Sequence, residues 1–198
     1  MRDERPILIG CGILAKEVQW LIDKNQWPLD AFFLDSALHI DFGALKDRLT
    51  EALSLYRERF PLVFYGECHP RMEHILAEQK LSRTEGQNCL EMLLGHATFM
   101  TELSQGAFFL LEDWAVRFDA ITELTFGNNP DLIRTVFAED RKYLLCVRTP
   151  CSGDFTRFAE AAGQKVNLPV RWLDCPLDPL ESVLWKLLNT AKGESNHD

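Results

Sequence analysis

Ile7-Leu8-Ile9-Gly10-Cys11-Gly12-Ile13-Leu14-Ala15 opens the chain's first structural unit. Three consecutive apolar residues read as a buried strand. Gly10 and Gly12 read as a tight turn, and Leu14, Val18, Leu21 and Ile22 then recur at helical spacing until Pro28. A strand followed at once by a helix is the start of a βα unit, and the pattern repeats along the chain. Strands are expected at 31–34, 62–65, 108–111, 143–147 and 170–173, with a weak one at 81–84. Helical patterns separate them: Leu45 to Tyr56, Met72 to Leu76 behind a Pro70 at the first helical position, a run from Asn88, Leu132 to Phe137, Phe155 to Ala162, and Val183 to Leu188. The stretch 112–127 gives no decisive pattern. Such alternation predicts an α/β fold: a single domain over 1–192 with a mostly parallel sheet and helices on both faces, Rossmann-like or flavodoxin-like, and a polar tail over 193–198. Strand order is left open. In a 2-1-3-4-5 order the first and third strands would be neighbours.

Composition narrows the function. The chain has 198 residues, 46% hydrophobic and 26% charged, as in ordinary globular proteins. Its formal charge of -9 argues against nucleic-acid partners and anionic membranes, which need basic patches. The start Met1-Arg2-Asp3-Glu4-Arg5 does not resemble a signal peptide, and no apolar run is long enough for a membrane span. A cytoplasmic protein is expected. Its six cysteines are then thiols, ligands or nucleophiles rather than a disulfide framework.

Three of those cysteines share a position in the pattern. Cys11 follows the first strand, Cys68 follows Leu62-Val63-Phe64-Tyr65, and Cys89 opens a helix capped by Asn88, with Glu91 three residues on. In parallel strands these places lie at the carboxyl edge, where open α/β sheets bind ligands. Helix N-termini favour thiolates, and thiolates favour zinc, Cu(I) or iron–sulfur centres. Three protein ligands leave a position open for a small molecule. Glu17, His39 and Glu91 are candidate catalytic groups that would orient ligands or move protons; His69 is a further candidate beside Cys68. Against this, cysteine is often a small core residue, and no CxxC pair is present. Cys146, inside a strand, reads as core. Cys151 and Cys175 fall in loops beside prolines and read as turn residues.

A second reading uses the same turn. Gly10-Cys11-Gly12-Ile13-Leu14-Ala15 matches a G-x-G-x-x-A dinucleotide fingerprint, with Asp35 ending the second strand as the ribose-binding acid. It ranks second, as a nucleotide- or S-adenosylmethionine-binding enzyme. A third reading is a non-catalytic accessory subunit. Thr149-Pro150-Cys151-Ser152-Gly153-Asp154 could hold an anion or form a plain turn, and Glu112 reads as a solvated loop residue.

The thiol motifs carry a family resemblance. Cys11 to Glu17 resembles the Cys-Gly-x-Leu-Ala-x-Glu opening of the domain of unknown function 1638 family. Tyr65-Gly66-Glu67-Cys68 is similar to its Tyr-Gly-Asp-Cys, and Gly86 to Glu91 is similar to its Gly-x-x-Cys-Tyr-Glu, with Gly95 downstream. The resemblance implies a histidine after the second strand, at His39, and a setting near corrinoid methyltransferases. A corrinoid or methyltransferase protein would then be the partner, and one-carbon chemistry the context. His69-Pro70 departs from the glycine and small residue that the family places after its second cysteine.

Overall fold

The computed structural model describes residues 5–194. In chain order its elements are β1 (Ile7–Cys11), α1 (Ala15–Asn25), β2 (Asp30–Leu34), α2 (Phe42–Leu55), β3 (Pro61–Phe64), α3 (Met72–Glu78), α4 (Cys89–Leu94) and α5 (His96–Ser104). They continue as β4 (Ala107–Leu110), α6 (Glu112–Val116), α7 (Phe118–Phe126), α8 (Pro130–Asp140), β5 (Tyr143–Arg148), α9 (Thr156–Val166), β6 (Val170–Asp174) and α10 (Asp178–Glu194). Short 3-10 turns cover Gly12–Leu14, Ser36–Ile40 and Arg57–Arg59. The alternation predicted from sequence is therefore present, and all strand pairs are parallel. The strands form two sheets of three rather than one sheet, in the orders β2-β1-β3 and β4-β5-β6. The outer side of β3 takes only a parallel bridge between Val63 and Arg83, which is all that forms of the weak strand expected at 81–84. The stretch expected as a polar tail falls partly in α10, which runs to Glu194; the rest of it lies outside the described residues.

The chain divides into two compact units, one comprising the residues up to Leu93 together with those from Asp178 on, the other Leu94–Leu177. In the first, β1 is central and buried at all five positions, as an apolar strand between two parallel neighbours must be. Ile9 lies between Phe32 and Val63. Val18, Leu21 and Ile22 of α1, and Leu45, Leu49 and Leu53 of α2, supply buried helical rows. From β1 the chain steps to β2 on one side, then crosses to β3 on the other. Right-handed connections that reverse direction place their helices on opposite faces and leave a crevice at the carboxyl ends of the two strands flanking the reversal, here β1 and β3. α3 begins at Met72 rather than at Pro70, because His69 ends the preceding loop: its Nδ1 accepts from Arg71 N–H at 2.9 Å and its carbonyl from Met72 N–H at 3.0 Å.

In the second unit the order is sequential, with β5 central and no reversal. The undecided stretch 112–127 is two helices that meet at Arg117. Phe108, Phe118 and Phe137 form an aromatic cluster in the core, with ring centroids 4.9 to 6.3 Å apart. Cys146 is fully buried in the same core, and burial pushes its thiol up to about 12. It is the core residue that the sequence suggests.

Candidate functional site

Three loops converge at the β1/β3 edge of the first unit. Gly10 lies beside Phe64, so Cys11 and Tyr65 are the next residues outward on adjacent strands. The chain then turns through Gly66-Glu67-Cys68 and packs directly on the segment before Cys89. Glu67 N–H donates to Gln87 O at 2.7 Å. A Cβ at Gly66 would stand 2.3 Å from that oxygen and 2.6 Å from Asn88 Cα. Only glycine permits this approach, and the approach brings the Cys68 loop to the Cys89 helix start. Asn88 caps α4 as its type and position suggest, its Oδ1 accepting from Glu91 N–H at 3.0 Å. Glu91 reaches back to Gln87 N–H at 2.6 Å, one residue beyond the usual capping-box partner.

The thiols act on one another. Cys89, fully within the interior, interacts with both Cys11 and Cys68 and is held well above its ordinary pKa, first by its contact with Cys11, then by Cys68 and burial. Cys68 moves the other way, down to about 7, because the Cys89 thiol donates to it. Backbone N–H groups at Gly66 and Cys68 and the charge of Arg83 add to that pull, and burial opposes it. The pair therefore has a preferred distribution, with the thiolate on Cys68 and the proton on Cys89.

Arg83 is fixed for this purpose. Its Nε pairs with Glu73 at 2.6 Å, and its Nη atoms reach Glu67 at 3.3 Å and the carbonyls of Thr84 and Gly86 at 3.0 and 2.9 Å. Thr84, buried, ties the same segment to β3: its N–H donates to Val63 O at 2.9 Å and its hydroxyl to Tyr65 O at 3.0 Å. A cleft of about 460 Å³ opens here, bordered by Glu67, Glu73, Arg83, Glu85 and Glu91 among others.

Tyr65 completes the cluster. Its side chain is 1% exposed and its hydroxyl has no hydrogen-bond partner among the described residues. Burial raises its pKa, and the charges of Cys11, Cys89 and Cys68 raise it further, so the phenol stays protonated beside the thiols. An unmet buried hydroxyl costs about 1–3 kcal/mol. Neither Tyr65 nor Arg83 stands out from spacing. The signal for Tyr65 was its polar tip at the end of an otherwise apolar run, just before a glycine.

The other candidates have local uses. Gly10 and Gly12 allow close packing: added Cβ atoms would meet Phe64 at 3.0 Å and Leu34 O at 2.8 Å. The Asp35 carboxylate accepts from Ala37 N–H at 2.8 Å and caps the turn after β2. His39 lies in that turn, and burial lowers its pKa against a backbone contact with Ser36 that raises it. Glu17 is buried in the first turn of α1. His69 is buried with its ring edge-on to Phe42.

Three thiols make a donor set that suits a soft cation, and the unmet Tyr65 hydroxyl beside them marks a place where a bound group has a donor to meet. Among the described residues no three or more His, Cys, Asp or Glu side chains are already gathered at metal-holding geometry. No helix among them is long and apolar enough to cross a membrane.

The fold and this edge define an α/β protein in which three thiols interact at the carboxyl edge of one parallel sheet. Residues 33–184, more than three-quarters of the chain, match the family described as protein of unknown function (DUF1638), and the chain belongs to that family. The match takes in His39, Cys68 and Cys89 and begins after Cys11. No curated protein and no solved structure matches the chain.

Proposed function

We propose that the protein holds a soft metal ion, zinc, or an iron–sulfur centre through Cys11, Cys68 and Cys89, leaving one position for a small ligand. The observation that carries this reading is the mutual interaction of three thiols delivered by three separate segments to the β1/β3 crevice. Cys68, already near its ionisation point at neutral pH, is the first ligand. Cys89 gives up its proton on binding, which makes affinity rise with pH. The side chains must rotate to converge on one ion. A bound centre would supply Lewis acidity or electron transfer; the chain's residues supply the enclosure and the fixed positive charge of Arg83. Glu17, His39 and Glu91 stand as the outer groups of this proposal, and a corrinoid or methyltransferase protein as its partner through the family resemblance.

Protein purified without oxygen or chelator is expected to carry near-stoichiometric zinc or iron. Serine at position 11, 68 or 89 should lower that content to near zero, while Cys146→Ser should keep it. Elemental analysis that finds no metal in the wild-type protein ends the proposal.

A further inference from the structure

α10 turns its apolar row inward, with Leu180, Leu184 and Leu187 buried. Asp178, Glu181, Ser182 and Trp185 recur along it at the i, i+3, i+4, i+7 spacing of a second helical face. That face meets the end of α1: Glu181 accepts from Lys24 Nζ at 2.9 Å and from Asn25 Nδ2 at 2.7 Å. α1 stops there because Gln26 takes a left-handed conformation, φ 51°, and Trp27 N–H returns to Ile22 O at 3.1 Å. Trp27 thereby joins Asn25 and the α10 face in lining a groove of about 570 Å³, the size of a small-molecule site.

Two indoles border this groove. Trp185 is 59% exposed and Trp27 half-buried, so neither is spent on the core. The charges beside them are unevenly matched. Glu181 is held by Lys24, and Lys186 reaches Glu85 at 3.5 Å. The Asp178 carboxylate has neither ion pair nor hydrogen bond among the described residues. Indole faces attract cations and alkyl groups, and a carboxylate fixes an ammonium. The chain makes the same pairing next door, where Lys24 Nζ lies 5.2 Å from the Trp20 ring centroid while bonded to Glu181. The geometry points to a binding site for a small alkylammonium ligand in this groove, with its ammonium on Asp178 and its alkyl chain against Trp27 and Trp185. Asp178 and Trp185 are seven residues apart, a rise of about 10.5 Å, which a chain of about six carbons spans with the reach of the two side chains. The groove shares no lining residue with the three thiols, so it fills or stays empty independently of any metal they hold.

The test titrates the full chain with hexylammonium, hexanol and hexanoate, which share a chain and differ in the head group. Binding is read from the five indole N–H signals in proton–nitrogen NMR spectra, each assigned by a single Trp→Phe substitution. Hexylammonium should shift Trp27 and Trp185 and saturate in the millimolar range; hexanol should bind roughly three-fold more weakly, and hexanoate more weakly still. Asp178→Asn should erase the preference for the amine over the alcohol, and Trp185→Ala should weaken hexylammonium roughly five-fold. Both side chains are exposed, so the fold survives either change. Hexanol or hexanoate binding as tightly as hexylammonium overturns the ligand class, and hexanoate binding best would hand the groove to Lys186. No shift, or shifts confined to Trp20, Trp114 and Trp172, overturns the site. An unchanged preference in Asp178→Asn overturns the seat of the ammonium. A blocked Gly-Lys-Gly peptide that binds more tightly than hexylammonium assigns the groove to a protein partner and overturns the small ligand.

Discussion

The two sheets carry three cysteines each at or behind their carboxyl edges, and use them differently. In the β4-β5-β6 unit the loop groups at the carboxyl edge pair with one another. Glu112 Oε2 accepts from Gly153 N–H at 3.0 Å, filling with the protein's own carboxylate the loop that could have held an anion. Arg148 pairs with Asp174 at 2.8 Å, Ser152 Oγ accepts from Thr149 N–H at 3.0 Å, and the Cys175 thiol donates to Pro176 O at 3.2 Å. Cys146 is locked in the core. In the β2-β1-β3 unit the Cys68 and Cys89 thiols divide a proton between them, near a Tyr65 hydroxyl that has no hydrogen-bond partner among the described residues. The difference follows strand order, not cysteine count. The first sheet reverses direction at β1/β3 and opens a crevice; the second adds strands in one direction and has no such point.

The largest contrast should be in thiol chemistry. In metal-free folded protein, iodoacetamide at pH 7 should modify Cys68 well before Cys146. With ionisation near 7 and near 12, the thiolate fractions differ by more than four powers of ten. The lower nucleophilicity of the more acidic thiol returns part of that, leaving roughly a 300-fold rate difference before burial is counted. Mass spectrometry of the digest reads the order, and Cys146 reacting first breaks the comparison. The Cys68 rate should rise through a midpoint near pH 7. The same shift makes stability pH-dependent. Because the folded pKa of Cys68 lies below its unfolded value of 9.0, its contribution is complete above that value, grows between 7 and 9, and is absent below 7. Cys89, shifted upward, contributes in the opposite sense and is lost at higher pH.

Glycine substitutions should separate the edges next. Gly66→Ala drives a methyl into the backbone of Gln87 and Asn88 and should destabilise by about 3 kcal/mol. Gly153→Ala meets only the end of the Glu112 side chain at 3.0 Å and should cost less than about 1 kcal/mol. Denaturant midpoints measure both, and equal losses would show that the thiol edge is no more tightly built than the other.

Arg83→Met removes the hub of the thiol edge. The expected loss is about 2 kcal/mol, since charge-assisted bonds to Glu73 and two carbonyls are broken. The alkylation midpoint of Cys68 should move upward; if it stays near 7, the arginine is only a strut. Asp35→Ala should cost little, about 1 kcal/mol from loss of a cap. Millimolar NAD or S-adenosylmethionine should not shift the melting temperature of wild type. A shift that vanishes in Asp35→Ala would move function to the glycine turn.

Local chemistry was legible in the sequence, and contacts across loops were not. Asn88 and Glu91 announce a helix start because capping depends on residues a few positions apart, and Cys146 declares itself by lying inside an apolar run. The Glu112–Gly153 contact spans 41 positions, and nothing near Glu112 signals it. Arg83 looks like any charged residue until four groups converge on it. Gly95 is the N-cap of α5 with φ 77°, a left-handed value that splits what periodicity reads as one helix after Asn88. Tyr65 passed as the end of an apolar strand, since an unmet hydroxyl exists only in three dimensions.

The first unit is discontinuous in sequence, and this has a consequence for how the protein is made. α10 packs on β3 and joins α1 through Glu181, which meets Lys24 at 2.9 Å and Asn25 at 2.7 Å. A ribosome delivers all three thiols first, then the whole of Leu94–Leu177, and only afterwards the helix that finishes their sheet. At about 5–20 residues per second that interval lasts roughly 4 to 17 s. The second unit can fold during it, while the thiol edge waits half-built and open to oxidants and metals alike. On the metal reading proposed above, loading of the site would precede completion of the fold that encloses it, and the order of synthesis would become part of how a centre is acquired.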